Sequence, residues 1–381
     1  VQSKIQNFLR VSNLDGFLFV GDSISDADMY YLSHFLAGDV FALLAQEKTT
    51  LLVSSMETGR AELESTADVV LSTSEYEIMK KLKTSGKPDQ AYLEVLKEFL
   101  HDHGVSRVGV PNRFPAGIFQ HLTPDFDVKI MESPAMRGRA VKTEKEIAAI
   151  TSTQRACERA MRKAVDLIAA SQPRGDILSY HGQPLLSEQV RSIIEVSLLE
   201  EACETMDTIV AGGLEAADPH ARGAGPLPAN APIVIDIFPR SKVSRYYADM
   251  TRTVLKGEAS LEVIEIYDAV RQAQEAGLKA VRSGISGKEV HSSVAQIFRE
   301  LGFPETEGCG FTHSTGHGVG LDVHEKPSLG DVGETLQTAQ VVTVEPGLYY
   351  PQIGGVRLED LVVVTENGSE NLTHFEKRLV L

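Results

Sequence analysis

Short apolar runs and amphipathic stretches alternate through the first third of the chain. FLFV (17–20) has the pattern of a short apolar strand. VFALLAQ (40–46) and TTLLVS (49–54) read as a hairpin turning at Glu47–Lys48. In DQAYLEVLKEFLHDHG, Leu93, Leu96 and Leu100 fall at helical spacing, and Gly104 closes the segment as a C-terminal glycine should. RVGV (107–110) and FDVKIM (126–131) return to strand pattern. This strand–helix alternation predicts an α/β layer domain.

The pattern breaks at SPAMRGR (133–139), where proline and glycine cluster, so a domain boundary is expected there, dividing 1–133 from 134–381. Beyond it, Thr143-x-x-Glu146 has the form of a capping box, and Ile147, Ile150, Cys157, Ala164 and Ile168 share one helical face. SEQVRSIIEVSLLEEAC predicts a second helix and LEVIEIYDAVRQAQEAGLKAV a third, while Ser286-x-x-Glu289 opens a fourth running through Leu301. All four are expected to pack on a sheet. No short solenoid repeat is present, but a looser echo is. APIVIDIF ends a strand on Asp236, and YYADMTRTVL opens another with Asp249, thirteen positions on. QVVTVEPG ends a strand on Glu345, and VRLEDLVVV places Glu359 fourteen positions on. Two related halves facing each other would bring four carboxylates together.

These strands are almost wholly apolar apart from their acids, so the carboxylates belong in or beside the core. A buried ionised carboxylate is costly without a cation. The plain alternative pairs each acid with a nearby arginine, Asp249 with Arg252 and Glu359 with Arg357. Four acids in two matched hairpins fit a cation better, since their repulsion would otherwise raise some of their pKa values. A second cluster is HSTGHGVGLDVHE (313–325), with three of the chain's eleven histidines in thirteen residues. His313 and His317 have the spacing of two ligands on one helical face. Gly316, Gly318 and Gly320 make a helix improbable and predict an extended or looped backbone open to close approach. Four extended residues span about 13 Å, so the two could not bind one ion. Only one of the three histidines need be a ligand, and spacing alone does not choose it.

Composition narrows the picture. The net charge of -16 speaks against a nucleic-acid partner. No apolar run approaches a membrane span of roughly 18 residues, and VQSKIQNFLR lacks the apolar core of a signal peptide. Cys157, Cys203 and Cys309 are odd in number and form no C-x-x-C pair, which fits a reducing compartment. A cytoplasmic protein is expected.

With Asp236, Asp249, HSTGHGVGLDVHE, VEPG and GGVRLED in this order, the chain resembles the creatinase/aminopeptidase P/prolidase family of metallopeptidases over nearly its whole length. The resemblance implies an α/β (α+β) fold, with a creatinase-like N-terminal domain before a pita-bread catalytic domain of two pseudo-twofold halves. It implies two divalent metal ions, with Asp236 on one, Asp249 and Glu359 bridging, and His317 with Glu345 completing the other's shell. His313, His324, His220 and Arg357 would then lie beside the substrate. Four carboxylates and one imidazole suit Mn2+ or Co2+ first, with Fe2+ or Zn2+ also compatible. Two such ions about 3.5–4 Å apart can share a bridging hydroxide, the expected attacking group. Glu345 would shuttle its proton, and His324 and His220 would bond the carbonyl oxygen or oxyanion. The family cleaves the bond before proline. This chain looks most like an Xaa-Pro dipeptidase, with aminopeptidase P, acting on longer peptides, the alternative.

The expected partners are therefore a short proline-containing peptide and a second copy of the chain, with no nucleic acid and no membrane. One departure stands out: PRSKVSR lengthens the loop between the first two acids by a couple of residues. An even change keeps strand residues on the same face, so the ligand geometry should survive. Creatinase lacks the metal cluster, and methionine aminopeptidase generally lacks such an N-terminal domain. A non-catalytic binding protein on this scaffold would usually have lost a ligand, and none is missing here.

Overall fold

A computed structural model describes residues 2–304 and 308–381. The chain divides into two compact units, Val1–Arg139 and Ala140–Leu381. The first holds six strands, β1 (Gly16–Gly21), β2 (Phe41–Ala45), β3 (Thr49–Val53), β4 (Val69–Ser72), β5 (Arg107–Val110) and β6 (Asp127–Ile130), in the order β4-β3-β2-β1-β5-β6. β2 runs antiparallel to β1 and β3, and the other pairs are parallel. Ala45 pairs with Thr49, so the hairpin turns through Gln46–Lys48 as its pattern predicts. Phe17 and Phe19 pack with Ile5 and Met29 of helices Gln2–Ser12 and Ala27–Ser33. Leu18 and Val20 pack on the opposite face with Val95 and Phe99 of helix Pro88–Asp102. Covering on both faces explains why β1 reads as an unbroken apolar run.

The second unit repeats one plan twice. Helices Glu144–Ala170 and Ser187–Glu200 cover β7 (Ile209–Gly212), β8 (Ile233–Ile237) and β9 (Met250–Val254), an antiparallel sheet in that order. Helices Leu261–Ala280 and Gly287–Glu300 then precede β10 (Gly316–Gly318), β11 (Glu325–Leu329), β12 (Val341–Val344), β13 (Gly347–Tyr350), β14 (Gly354–Arg357), β15 (Asp360–Val364) and β16 (Ser369–Asn371). Of these, β11-β10-β12-β15-β16 form one sheet, and β13 and β14 pair as a hairpin. Capping boxes at Thr143–Glu146 and Ser286–Glu289 start two of the helices, each satisfying backbone N–H groups that would otherwise lack a partner. These are the two matched halves that the sequence echo predicts.

Strand register sets the acids. Asp236 pairs with Thr251 across β8 and β9, and Asp249 lies two residues before Thr251, so all three share a face. The longer loop between the acids keeps that facing. Val344 pairs with Asp360, which puts Glu345 opposite Glu359 at the next step. Each half thus presents two carboxylates from the end of a central hairpin.

Candidate active site

A cavity of about 640 Å³ opens inside the second unit, and its wall includes Asp236, Asp249, His317, Glu345 and Glu359. Asp249, His317 and Glu359 each offer a ligand atom within 4.8 Å of the others. His317 Nε2 lies 3.3 Å from Glu345 Oε1 and 3.8 Å from Asp249 Oδ2. His317 Nδ1 is 3.2 Å from the Gly318 carbonyl oxygen. In the neutral ring a proton on Nδ1 would donate there and leave the Nε2 lone pair facing the acids, as a cation requires; without a cation, Nε2 takes a proton and bonds Glu345. The backbone N–H of His317 donates to Thr343 Oγ1 at 3.1 Å, which fixes the ring from behind.

The electrostatics show what four acids in one buried space cost. Burial first, then repulsion from Glu359, Asp236 and Glu345, pushes the Asp249 carboxyl well above its usual range. Burial and the charges of Glu345 and Asp236 push Glu359 up in the same way. Burial would also raise Glu345, but its bond to His317 and that ring's charge outweigh it and hold the carboxyl at about 2. The His317 ring, lowered by burial, is raised overall by the same partner. Asp236 Oδ1 and Glu359 Oε1 are buried with no hydrogen-bond partner among the described residues. Orphaned carboxylate oxygens beside an aimed imidazole fit hard divalent cations, as the donor types also do.

The arginine pairings expected from sequence proximity do not form. Arg252 binds Asp360 at 2.9 Å, not Asp249, because residues three apart on a strand point to opposite faces. Arg357 binds Asp236 Oδ2 at 2.8 Å and not Glu359. Glu359 instead accepts from Thr251 Oγ1 at 2.8 Å. Arg357 is also bonded to Tyr349 Oη at 2.8 Å, Thr251 Oγ1 at 3.1 Å and the Pro219 carbonyl at 3.3 Å. It lines the cavity, but most of its donors are engaged in the wall.

The remaining histidines line the same cavity without joining the acid cluster. His313 Nε2 lies 2.9 Å from Tyr349 Oη, and its Nδ1 lies 2.7 Å from the Ser314 carbonyl. Burial lowers the His313 pKa and lifts the Tyr349 hydroxyl to about 12, so a neutral ring accepts from a phenol that Arg357 itself supports. The His324 ring packs edge-on to that of His317, 4.2 Å between centroids, and burial lowers it too. His220 sits on a loop of the same wall, its backbone N–H donating to Asp218 Oδ1 at 3.0 Å. Tyr349 and Thr251 escape sequence reasoning: a lone tyrosine or threonine in a strand carries no signal of what it orients. Asp207, Arg222 and Thr312 on the rim are equally silent in the sequence.

The alternate glycines serve the close approach their pattern suggests. A Cβ on Gly316 would meet the Thr343 carbonyl oxygen at 2.0 Å, and one on Gly318 the Lys326 oxygen at 2.3 Å. On Gly320 it would meet a Glu325 carboxylate oxygen at 2.4 Å.

Residues 148–366 match metallopeptidase family M24, and residues 2–141 match the creatinase/prolidase N-terminal domain. The chain is 30% identical over 384 residues to an Xaa-Pro dipeptidase of Pyrococcus horikoshii, covering 99% of this chain and 97% of that protein. Among solved structures it is similar to the prolidase from Pyrococcus horikoshii OT3, with a TM-score of 0.81, 28% identity and 99% of each chain covered. The X-Pro aminopeptidase from Thermotoga maritima MSB8 gives a TM-score of 0.80 at 28% identity, covering 99% of this chain and 100% of the other.

Proposed function

The chain belongs to metallopeptidase family M24, and on that premise we propose that it is an Xaa-Pro dipeptidase using two divalent cations. Asp236, Asp249, His317, Glu345 and Glu359 would hold them, with Mn2+ or Co2+ the best match to the donors. The observation that carries this reading is the pair of buried, partnerless oxygens, Asp236 Oδ1 and Glu359 Oε1, on residues of the wall that also presents His317. When bound, the cations would supply an acidified water and Lewis-acid polarisation of the scissile carbonyl.

The chain's own groups do the rest. Glu345 takes the water's proton and passes it to the leaving nitrogen. An amide nitrogen leaves as an amine only once protonated, and here this proton becomes the N–H of the released proline as the C–N bond breaks. His324 and His220 donate to the carbonyl oxygen as it becomes an oxyanion. The hydrogen-bonded row Arg357–Tyr349–His313 holds the His313 ring at the wall where a substrate would rest. Two relatives support this substrate class, the Pyrococcus Xaa-Pro dipeptidase and the Thermotoga X-Pro aminopeptidase. A homodimer in a reducing cytoplasm completes the reading, and the buried Cys157 and Cys203 form no disulfide. Light scattering on the purified protein checks the dimer.

Hydrolysis of Ala-Pro beside Ala-Pro-Ala, with Mn2+ or Co2+ added, tests the proposal. The dipeptide should be cleaved, and Glu345→Ala should lower kcat by roughly 10²-fold or more. Cleavage of the tripeptide would move the assignment to aminopeptidase P. No cleavage of either by protein carrying two metals would overturn the proline reading.

A further inference from the structure

Behind the cavity wall lies a buried ion pair that takes no part in the chemistry described so far. Lys142 Nζ is 2.5 Å from Glu325 Oε1, with the two side chains 1% and 8% exposed. A pair buried this deeply rarely improves stability over two well-packed apolar side chains. Its presence points to another use, and its surroundings say which.

Both partners are held. The Lys142 backbone N–H donates to the Ala339 carbonyl at 2.9 Å, and Nζ reaches the Ala140 carbonyl at 3.3 Å. Glu325 opens β11, where it pairs with Gly318 across from the strand that carries His317. Gly320 leaves the space that the Glu325 carboxylate fills. The residue immediately before Glu325 is His324, whose ring lies edge-on to His317 at the cavity. Fixing the Glu325 carboxylate therefore fixes the backbone from which His324 projects.

We propose that the Lys142–Glu325 pair is a positioning device that holds His324 over the scissile carbonyl. The inference rests on the reading of His324 as a donor to that oxygen. Lys142 and Glu325 are positioning residues, since neither lines the cavity. Misplacing a catalytic group by about 1 Å can cost 10²-fold in rate, which sets the size of the effect.

The test uses the full chain loaded with Mn2+. The double variant K142M/E325L replaces both charges of the pair by apolar side chains at once. It should keep its metal and stay folded, while kcat for Ala-Pro falls about 10²-fold with KM nearly unchanged. Adding H324A to the double variant should cost no more than H324A alone. An unchanged kcat, or losses that multiply when H324A is added, would overturn the proposal. If the double variant does not fold, E325Q, which keeps an acceptor for Lys142, takes its place in the same cycle with H324A. Should the wild type not cleave Xaa-Pro peptides, the functional reading fails separately. The His324 ring resonance, assigned with H324A, then decides: a shift in E325Q supports the clamp, and an unmoved signal overturns it.

Discussion

Among the described residues Arg252 is the largest side chain with almost no exposure, 1%, and every N–H of its guanidinium has an acceptor. Two of them matter for the site: Nη1 donates to the carbonyls of Thr251 at 2.9 Å and Glu359 at 2.6 Å. One side chain thus ties the strand after Asp249 to the residue that supplies the opposing carboxylate. Burial would raise Asp360, but Arg252 and Lys377 more than offset it and hold that carboxyl low. Arg252→Met fills similar space yet strands buried carbonyls and half of an ion pair. It should cost about 3–5 kcal/mol in a denaturant titration. A loss within about 0.5 kcal/mol, the range of ordinary surface changes, would show that the guanidinium is not a structural tie.

At the scale of elements, Asp15 joins the starts of β1 and β5. Its carboxylate accepts from Ser106 N at 3.0 Å and Arg107 N at 2.8 Å, and pairs with the Arg107 guanidinium at 2.7 Å. The Arg107 side-chain bond leads the causes that hold its pKa at about 2. A depressed carboxylate adds stability above the unfolded pKa of about 3.9 and loses it as pH falls through the folded value. Asp15→Asn should therefore lower the melting temperature of the N-terminal unit at pH 7. The gap should shrink between about pH 4 and pH 2. A gap that persists at pH 2 would point to lost shape rather than lost charge. The same unit shows where the sequence is hard to read. Ala27–Ser33, Thr58–Glu64 and Ala116–Leu122 are helices of seven residues, too short for apolar periodicity to stand out. The long helices of the second unit announce themselves through caps and periodicity, and Glu144–Ala170 starts at the expected box. Acids in the strands that wall the cavity were legible because charge is rare between β-branched neighbours. Their partners were not, because pairing depends on which strand lies opposite and not on nearness along the chain.

For the whole molecule, no helix among the described residues is long and apolar enough to cross a membrane. The second unit draws its acid cluster from both halves, Asp236 and Asp249 from one, His317, Glu345 and Glu359 from the other. Cations bound there as proposed would stabilise the fold by mass action, about 2.7 kcal/mol at a hundred times Kd. Stripping the protein with EDTA should lower the melting temperature of the second unit, and Mn2+ should restore it. An unmoved transition would mean that the ligands are not preorganised for metal. The split between halves has a further reach. If these residues hold the proposed cations, ligands on two separate sheets would make the centre a caliper set to the gap between them. A substitution that widens that gap by a fraction of an ångström, even on an outer helix, should appear first as weakened metal affinity. Metal content would then be a gauge of packing throughout the unit, and a variant could lose activity with every side chain of the proposed site intact.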